Sequence, residues 1–152
     1  MDEQNTPYRL HDSLGYWLSL AARLQERRLD DRLREIGLTR ITWCILLGLA
    51  NEGLSQPSEL ADFVGIDRTA TSRALRQMEE AGLLSRDPGT DDRRTRRIGL
   101  TPEGHMALAQ AIPFALQNTA VMTDRLAPGE KEQLLRLLAK VSEGDKGGLR
   151  TF

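Results

Sequence analysis

Apolar residues recur at steps of three and four over residues 8–36, a pattern that predicts a long amphipathic helix. Gly37 follows this segment and is suited to ending a helix. The next segment, residues 39–50, is apolar on most sides. We therefore expect it to form a helix inside the core, with Thr39 as its N-terminal cap.

The middle of the chain predicts two short helices and a β-hairpin. The first begins with Ser55 and Pro57 and reaches about residue 64; the second runs from its suitable N-cap, Asp67, to about residue 81, and Gly65 separates the two. Residues 83–100 hold two short alternating stretches around a loop rich in aspartate, proline and glycine, which indicates two strands and a turn.

Two more helices are predicted after the hairpin. Thr101 followed by Pro102 is a cap with a first-turn proline, and this helix is expected to reach about Leu126. The last helix starts near Pro128 and carries leucines at helical spacing. We expect the tail that follows it, residues 144–152, to be frayed.

Length and composition favour one domain that folds without disulfides or metals. The chain has 152 residues, of which 39% are hydrophobic and 28% charged, enough apolar surface for a core and unlike a disordered chain. No apolar run approaches the roughly 20 residues that cross a bilayer, and the polar, acidic start is unlike a signal peptide. Cys44 is the only cysteine, so no internal disulfide forms, and we expect a cytoplasmic protein.

Positive charge is concentrated although the formal net charge is −1. Residues 68–78 contain arginines and no acid, and residues 93–97 contain a second arginine cluster. The planar guanidinium matches phosphates and guanine edges, so local clusters can bind DNA on a protein without net positive charge. Taken alone the clusters are a weak indication, because arginine-rich surfaces are common.

Residues 58–84 combine a short helix, a glycine-containing turn and a second helix, the order found in a DNA-reading helix-turn-helix. Arginine bonds bidentately to guanine, glutamine to adenine, and hydroxyls to bases or phosphates. A solvated polar face is the alternative, but the preceding turn and the following hairpin favour DNA. The residues expected to contact DNA are Ser58, Arg68, Thr69, Thr71, Ser72, Arg73, Arg76 and Gln77.

The predicted hairpin supplies a second candidate contact, a wing. Its loop and second strand contain Asp92, Arg93, Arg94 and Arg96. An arginine at a hairpin tip can enter a narrow minor groove, and Asp92 can orient Arg94 by a charge-assisted hydrogen bond. The alternative is a charged loop that is only solvated.

These motifs resemble the MarR family of multiple-antibiotic-resistance-type regulators. The similarity rests on SELAD at 58–62, VGIDRTATSRALRQMEEAGLLSR at 64–86, DDRR at 91–94 and LTPEG at 100–104, and it extends over nearly the whole chain. The DxR pattern followed by LTPEG is a fairly specific combination.

The resemblance implies a mainly α (α+β) fold with a winged helix-turn-helix lobe, within a single domain of residues 1–152. The lobe covers about 38–101, and dimerisation helices cover about 8–36 and 102–143. It also implies a homodimeric transcriptional regulator of double-stranded DNA. We expect a repressor that binds a near-palindromic operator and is released by a small aromatic ligand.

Apolar residues at both ends exceed what a winged-helix core can absorb, and the resemblance places both ends in a dimer interface. Two-fold symmetry then sets the two reading helices in successive major grooves, about one helical turn apart. A monomer with self-packed end helices is the alternative. The interface candidates are Leu10, Leu14, Leu134, Leu137, Leu138 and Val141.

Many MarR-like proteins respond to small aromatic anions bound between the lobe and the dimer helices. His11, Trp17 and Trp43 are the candidate ligand-binding residues here, although both tryptophans also fit core positions of their helices. Cys44 is a candidate redox thiol only if it has exposure and a positive neighbour, and the sequence indicates neither.

No metal-ligand spacing, phosphate loop or catalytic dyad is present in the sequence, so we expect no metal, no cofactor and no enzymatic activity. Three alternatives stay open. They are a winged-helix module that binds proteins, a small-molecule hydrolase or transferase, and a redox-sensing regulator that uses Cys44.

Overall fold

The computed structural model describes residues 6–87 and 97–144. Within these ranges it contains six α-helices and one two-stranded antiparallel sheet, which confirms the mainly α winged helix-turn-helix fold. The elements are α1 (Leu14–Glu35), α2 (Arg40–Asn51), α3 (Pro57–Val64), α4 (Arg68–Glu80), β1 (Leu84–Arg86), β2 (Ile98–Leu100), α5 (Pro102–Thr123) and α6 (Glu130–Val141). Residues 145–152, most of the tail predicted to be frayed, lie outside the described residues.

The first helix starts later than its apolar periodicity predicts, at Leu14 rather than near Tyr8. The hydroxyl oxygen of Ser13 accepts the amide of Tyr16 at 3.2 Å, and the same hydroxyl donates to the carbonyl of Leu10 at 2.7 Å. This capping closes a short 3₁₀ turn before the helix and fixes the helix start.

The predicted caps of three other helices are confirmed. The side chains of Thr39, Asp67 and Thr101 each accept the backbone amide three residues later, at 3.2, 2.7 and 3.0 Å. Each bond satisfies an amide that has no partner within its helix. Gly37 and Gly65, with φ of 75° and 78°, end the preceding helices in a left-handed conformation.

The hydrophobic core lies in the winged-helix lobe and takes in the adjoining ends of α1 and α5. Its fully buried side chains include Leu33 of α1, Ile45 and Leu46 of α2, Leu60 of α3 and Leu75 of α4. By contrast, α6 has no buried residue. The outer ends of the fold therefore add little to this core.

The start of α5 packs directly on the backbone before the hairpin. The amide of Thr101 donates to the carbonyl of Leu83 at 3.2 Å, and its hydroxyl donates to the carbonyl of Gly82. A Cβ at Gly104 would overlap the carbonyl oxygen of Leu83. Gly104 is thus the residue that allows α5 to approach so closely.

Residues 6–87 and 97–144 contain no helix that is both long and apolar enough to cross a membrane. In the same residues, no three His, Cys, Asp or Glu side chains lie together as a possible metal site.

Candidate nucleic-acid interface

Helix α4 has one buried side and one exposed side. Ala74, Leu75 and Met78 are buried in the core, at 7%, 0% and 1% exposure, and they fix which side of α4 points outward. We call the outward surface the reading face; its residues, all exposed, are Arg68, Thr69, Ser72, Arg73, Arg76 and Gln77. Six of the eight candidates on α3 and α4 therefore share one accessible surface.

The turn between α3 and α4 holds α4 at a defined angle. The amides of Gly65 and Ile66 both donate to the carbonyl of Ala61, at 2.9 and 3.2 Å, and Ile66 is buried at the corner. Ser58, the second residue of α3, is exposed and stays available to a phosphate.

The structure corrects the prediction that Thr71 contacts DNA, because this residue is 1% exposed and lies on the buried side of α4. Its hydroxyl donates to the carbonyl of Asp67 at 2.8 Å, so it has a hydrogen-bond partner inside the protein. A threonine held in this way packs the helix and does not contact DNA directly.

The arginines of the reading face keep their charge available. No acid that the structure describes lies within ion-pair distance of Arg68, Arg73 or Arg76, and residues 68–78 contain no acid. Guanidinium groups without carboxylate partners are free to bind phosphates and guanine.

The hairpin forms as predicted at its base. Leu84 pairs with Leu100 and Arg86 with Ile98, and the amide of Asp87 continues the ladder to the carbonyl of Arg97 at 2.9 Å. The wing candidates Asp92, Arg93, Arg94 and Arg96 lie outside the described residues, so their roles stay predictions.

One residue pair at this surface was not identified from the sequence. The Nε of Arg86 on β1 lies 3.2 Å from a carboxylate oxygen of Glu79, near the end of α4. The pair joins the base of the hairpin to the reading helix. The two residues are seven positions apart and on different elements, so no helical or strand spacing pointed to them.

Comparison with known proteins finds similarity to one family of regulators. A model of the MarR family matches residues 36–95. A MarR family transcriptional regulator from Streptomyces coelicolor, solved in complex with DNA, is 28% identical over 93% of this chain and 92% of that one, with a TM-score of 0.75. The chain is thus similar to the MarR family over residues 36–95 and to this regulator over most of its length.

Two further structures of this family share the fold. BpsR of Bordetella bronchiseptica, whose DNA binding is regulated by 6-hydroxynicotinic acid, is 24% identical, with a TM-score of 0.79, over 91% of this chain and 99% of its own. A cysteine-to-serine mutant of Escherichia coli MarR in complex with operator DNA is 24% identical, with a TM-score of 0.73, over 84% of this chain and 92% of its own. The family consists of transcriptional regulators rather than enzymes.

The end helices of this chain carry apolar residues that the single chain does not cover. Five of the six dimer candidates are exposed, from 47% at Leu134 and Leu137 to 64% at Leu14, and Leu138 is half-buried. Further apolar residues that sequence spacing did not assign to a dimer surface are also exposed: Trp17, Leu18 and Leu24 on α1, and Met106, Ile112, Leu116 and Val121 on α5. A signal for the α5 set exists, since that helix is apolar around most of its circumference.

The candidate ligand residues are only partly brought together. The ring of His11 packs edge-on against Tyr16 with centroids 4.7 Å apart, Tyr16 packs likewise on Trp17 at 5.3 Å, and the indole N–H of Trp17 donates to the His11 carbonyl at 2.8 Å. Trp43 is not part of this group, because it is 7% exposed and packs in the hydrophobic core. The core position of this tryptophan follows from the apolar face of α2.

Cys44 is half-buried, and its burial raises the pKa of its thiol. A positive neighbour, Arg40, is present and lowers this pKa, contrary to the sequence-based expectation, but the effect of burial is larger. The thiol is therefore protonated at neutral pH and a poor nucleophile, which argues against the redox alternative.

Proposed function

We propose that this chain is a MarR-family regulator that acts as a homodimer, binds a near-palindromic DNA duplex and represses transcription, and that it has no enzymatic activity. The observation that carries the proposal is the reading face of α4. It holds three arginines, a glutamine and two hydroxyls, all exposed, on a helix that the core fixes from behind. This set of donors suits base edges and phosphates in a major groove.

The wing completes the contact in this proposal. Arg94, oriented by Asp92, enters the minor groove beside the reading helix. Support comes from the paired base of the hairpin and from its ion-pair link to α4. Two similar proteins, from S. coelicolor and E. coli, are solved in complex with DNA, which supports DNA binding by this chain.

The dimer is proposed to form through the ends of the chain. Leu10 and Leu14 at one end, and Leu134, Leu137 and Val141 at the other, stay exposed in the single chain. Burying apolar side chains of this size stabilises an interface by about 25 cal/mol per Å². Two-fold pairing then places the reading faces about one helical turn apart.

A small aromatic anion is proposed to release the DNA. His11, Tyr16 and Trp17 form an accessible aromatic group at the start of α1, beside the proposed dimer surface. BpsR, regulated by 6-hydroxynicotinic acid, provides a precedent within the family. Trp17→Phe leaves buried Trp43 as the one remaining tryptophan. Binding of 6-hydroxynicotinic acid at the aromatic group should therefore quench tryptophan fluorescence in the wild type and much less in this variant.

The DNA proposal is tested by selecting bound duplexes from a random library and titrating the enriched duplex by fluorescence anisotropy at two salt concentrations. A dimer bound to a palindrome with half-sites about 10 base pairs apart supports the proposal. Arg73→Ala should cost about 1–3 kcal/mol and relax the preference at one base pair, and Arg94→Ala should lower the salt slope by about one. Arg34→Ala, an exposed arginine of α1, is the control.

The rival class, a winged helix that binds proteins, has a distinct result. It predicts no enriched motif and only weak binding to duplex DNA that does not depend on the arginines of the reading face. The arginines of the reading face form no ion pair with any acid in the described residues, so their charges are available to phosphates, which favours DNA over a protein partner.

A further inference from the structure

Two polar clusters tie the second half of α1 to two other helices. In the first, which we call the Arg40 cluster, Nε of Arg40 lies 2.7 Å from a carboxylate oxygen of Asp30, and its Nη1 lies 2.9 Å from one of Glu26. The two acids are one helical turn apart, so both reach the same guanidinium. All three side chains are only about one-third exposed, so solvent and salt screen these ion pairs less than pairs at the surface.

The position of Arg40 shows that the cluster is not a by-product of helix formation. Arg40 is the first residue of α2, where the helix dipole disfavours a positive charge. The carboxylates of Glu26 and Asp30 offset that cost from another helix. The arrangement therefore stabilises the docking of α1 on α2 rather than α2 itself.

The second, the Asn118 cluster, joins α1 to α5. Asn118 is 8% exposed; its Oδ1 accepts from Nε of Arg28 at 3.0 Å, and its Nδ2 donates to the carbonyl of Gln25 at 3.0 Å. A buried amide bonded on both sides by a helix at least 90 residues away fixes the rotation of one helix against the other. One turn away, the guanidinium of Arg32 lies 4.2 Å from the ring centre of Phe114.

These contacts divide α1 into two functional halves. The first half carries exposed Leu14, on the proposed dimer surface, and exposed Trp17, of the aromatic group beside it. The second half is bonded to α2 and α5. From Trp17 to Asp30 the helix is about 20 Å long. A tilt of about 10° over that length displaces the far end by about 3.5 Å, which is close to one base-pair step.

We infer that Arg40 and Asn118 are positioning residues that set the spacing between half-sites in the operator. By fixing α1 on α2 and α5, they hold the angle between the lobe, which carries the reading face, and the end helices, which carry the dimer contact. The inference rests on the proposed function, since spacing has meaning only for a dimer on DNA.

The test measures affinity for a set of duplexes. The duplex enriched by the wild-type dimer is lengthened or shortened by one base pair between its half-sites, and each dissociation constant is measured by anisotropy. For the wild type we expect at least about a tenfold loss of affinity for either change. Arg40→Met and Asn118→Leu should reduce that loss to less than about threefold. The control Arg34→Met, which breaks an exposed pair with Asp31 within α1, should keep the wild-type loss.

The outcomes separate this inference from the proposed function. If the wild type discriminates by spacing and the folded Arg40→Met dimer does so equally, the inference is wrong and the proposed function stands. If the wild type binds no duplex specifically, the proposed function fails. If Arg40→Met does not fold, Asp30→Asn is tested in its place, because this variant removes only one of the two ion pairs of Arg40.

A second measurement does not depend on DNA. Spin labels on Thr69→Cys in a Cys44→Ala background report the distance between the two α4 helices of the dimer. Breaking the Arg40 cluster should broaden this distance distribution, and an unchanged distribution would overturn the inference. Loss of overall stability alone does not broaden it in the folded dimer.

Discussion

Replacing Gly104 with alanine should destabilise the protein, although alanine is the better helix former. Gly104 is the third residue of α5, and its added Cβ would overlap the carbonyl oxygen of Leu83. That carbonyl also accepts the amide of Thr101. To relieve the overlap, α5 has to move away from the backbone before β1 and weaken that hydrogen bond.

The magnitude follows from opposing effects. Alanine gains about 1 kcal/mol over glycine in helix propensity. Inserting an atom into closely packed backbone costs about 1–3 kcal/mol, and the weakened hydrogen bond from the Thr101 amide costs about 1 kcal/mol more. We expect the free energy of unfolding to fall by about 1–3 kcal/mol, equivalent to a urea midpoint lower by about 1 M.

The assay is urea unfolding followed by circular dichroism at one fixed protein concentration, because dimer stability depends on concentration. Gly15→Ala is the matched control. Gly15 is the second residue of α1, a helix of the same 22-residue length, and its Cβ would have no atom within 4 Å. This control should gain about 0.5–1 kcal/mol. If Gly104→Ala is as stable as the wild type, the steric reasoning is refuted.

Three further predictions follow from other contacts. Asp67→Ala removes the cap of α4 and should lower the free energy of unfolding by about 1 kcal/mol in the same urea assay, whereas Asp67→Asn, which still caps, should stay near the wild type. Glu79→Gln leaves Arg86 without its carboxylate partner; stability should change by less than about 1 kcal/mol, while anisotropy should show weaker operator binding, and unchanged affinity would count against a role for the pair. Burial raises the pKa of Cys44, so the folded state holds the thiol proton more strongly than the unfolded state does. The stability this contributes is present at neutral pH and is lost as the pH rises above the ordinary thiol pKa of about 8.5 and through the raised pKa. The free energy of unfolding, measured with urea between about pH 7 and 10, should therefore fall more steeply with pH in the wild type than in Cys44→Ala.

Much of the lobe could be predicted because its signals are local. Apolar periodicity located the helices, and side-chain caps located three of their starts, at Thr39, Asp67 and Thr101. The start of α1 was misplaced for a related reason. Apolar spacing extends back to Leu10, but the hydroxyl of Ser13 caps the backbone, so the helix starts only at Leu14.

The reading face could be predicted as a surface but not residue by residue. Helical spacing places Thr71 beside Ala74 and Met78 on the inner side, while its position in the motif suggested DNA. The structure resolves the conflict because the Thr71 hydroxyl has a backbone acceptor within its own helix, at the Asp67 carbonyl. A buried threonine needs only that one bond, so its hydroxyl is not evidence for a ligand.

Contacts between distant elements could not be predicted from one sequence. Arg40 at the start of α2 is locally unfavourable, and Asn118 in the last third of α5 has the polarity of an ordinary surface amide. Both make sense only after α1 has docked on α2 and α5, since their partners are 10 and 14 residues away for Arg40 and at least 90 for Asn118. Residues that are locally unfavourable yet fully bonded across elements fix the relative position of the lobe and the end helices. In a dimeric DNA-binding protein that relative position determines which operators fit both reading faces at once.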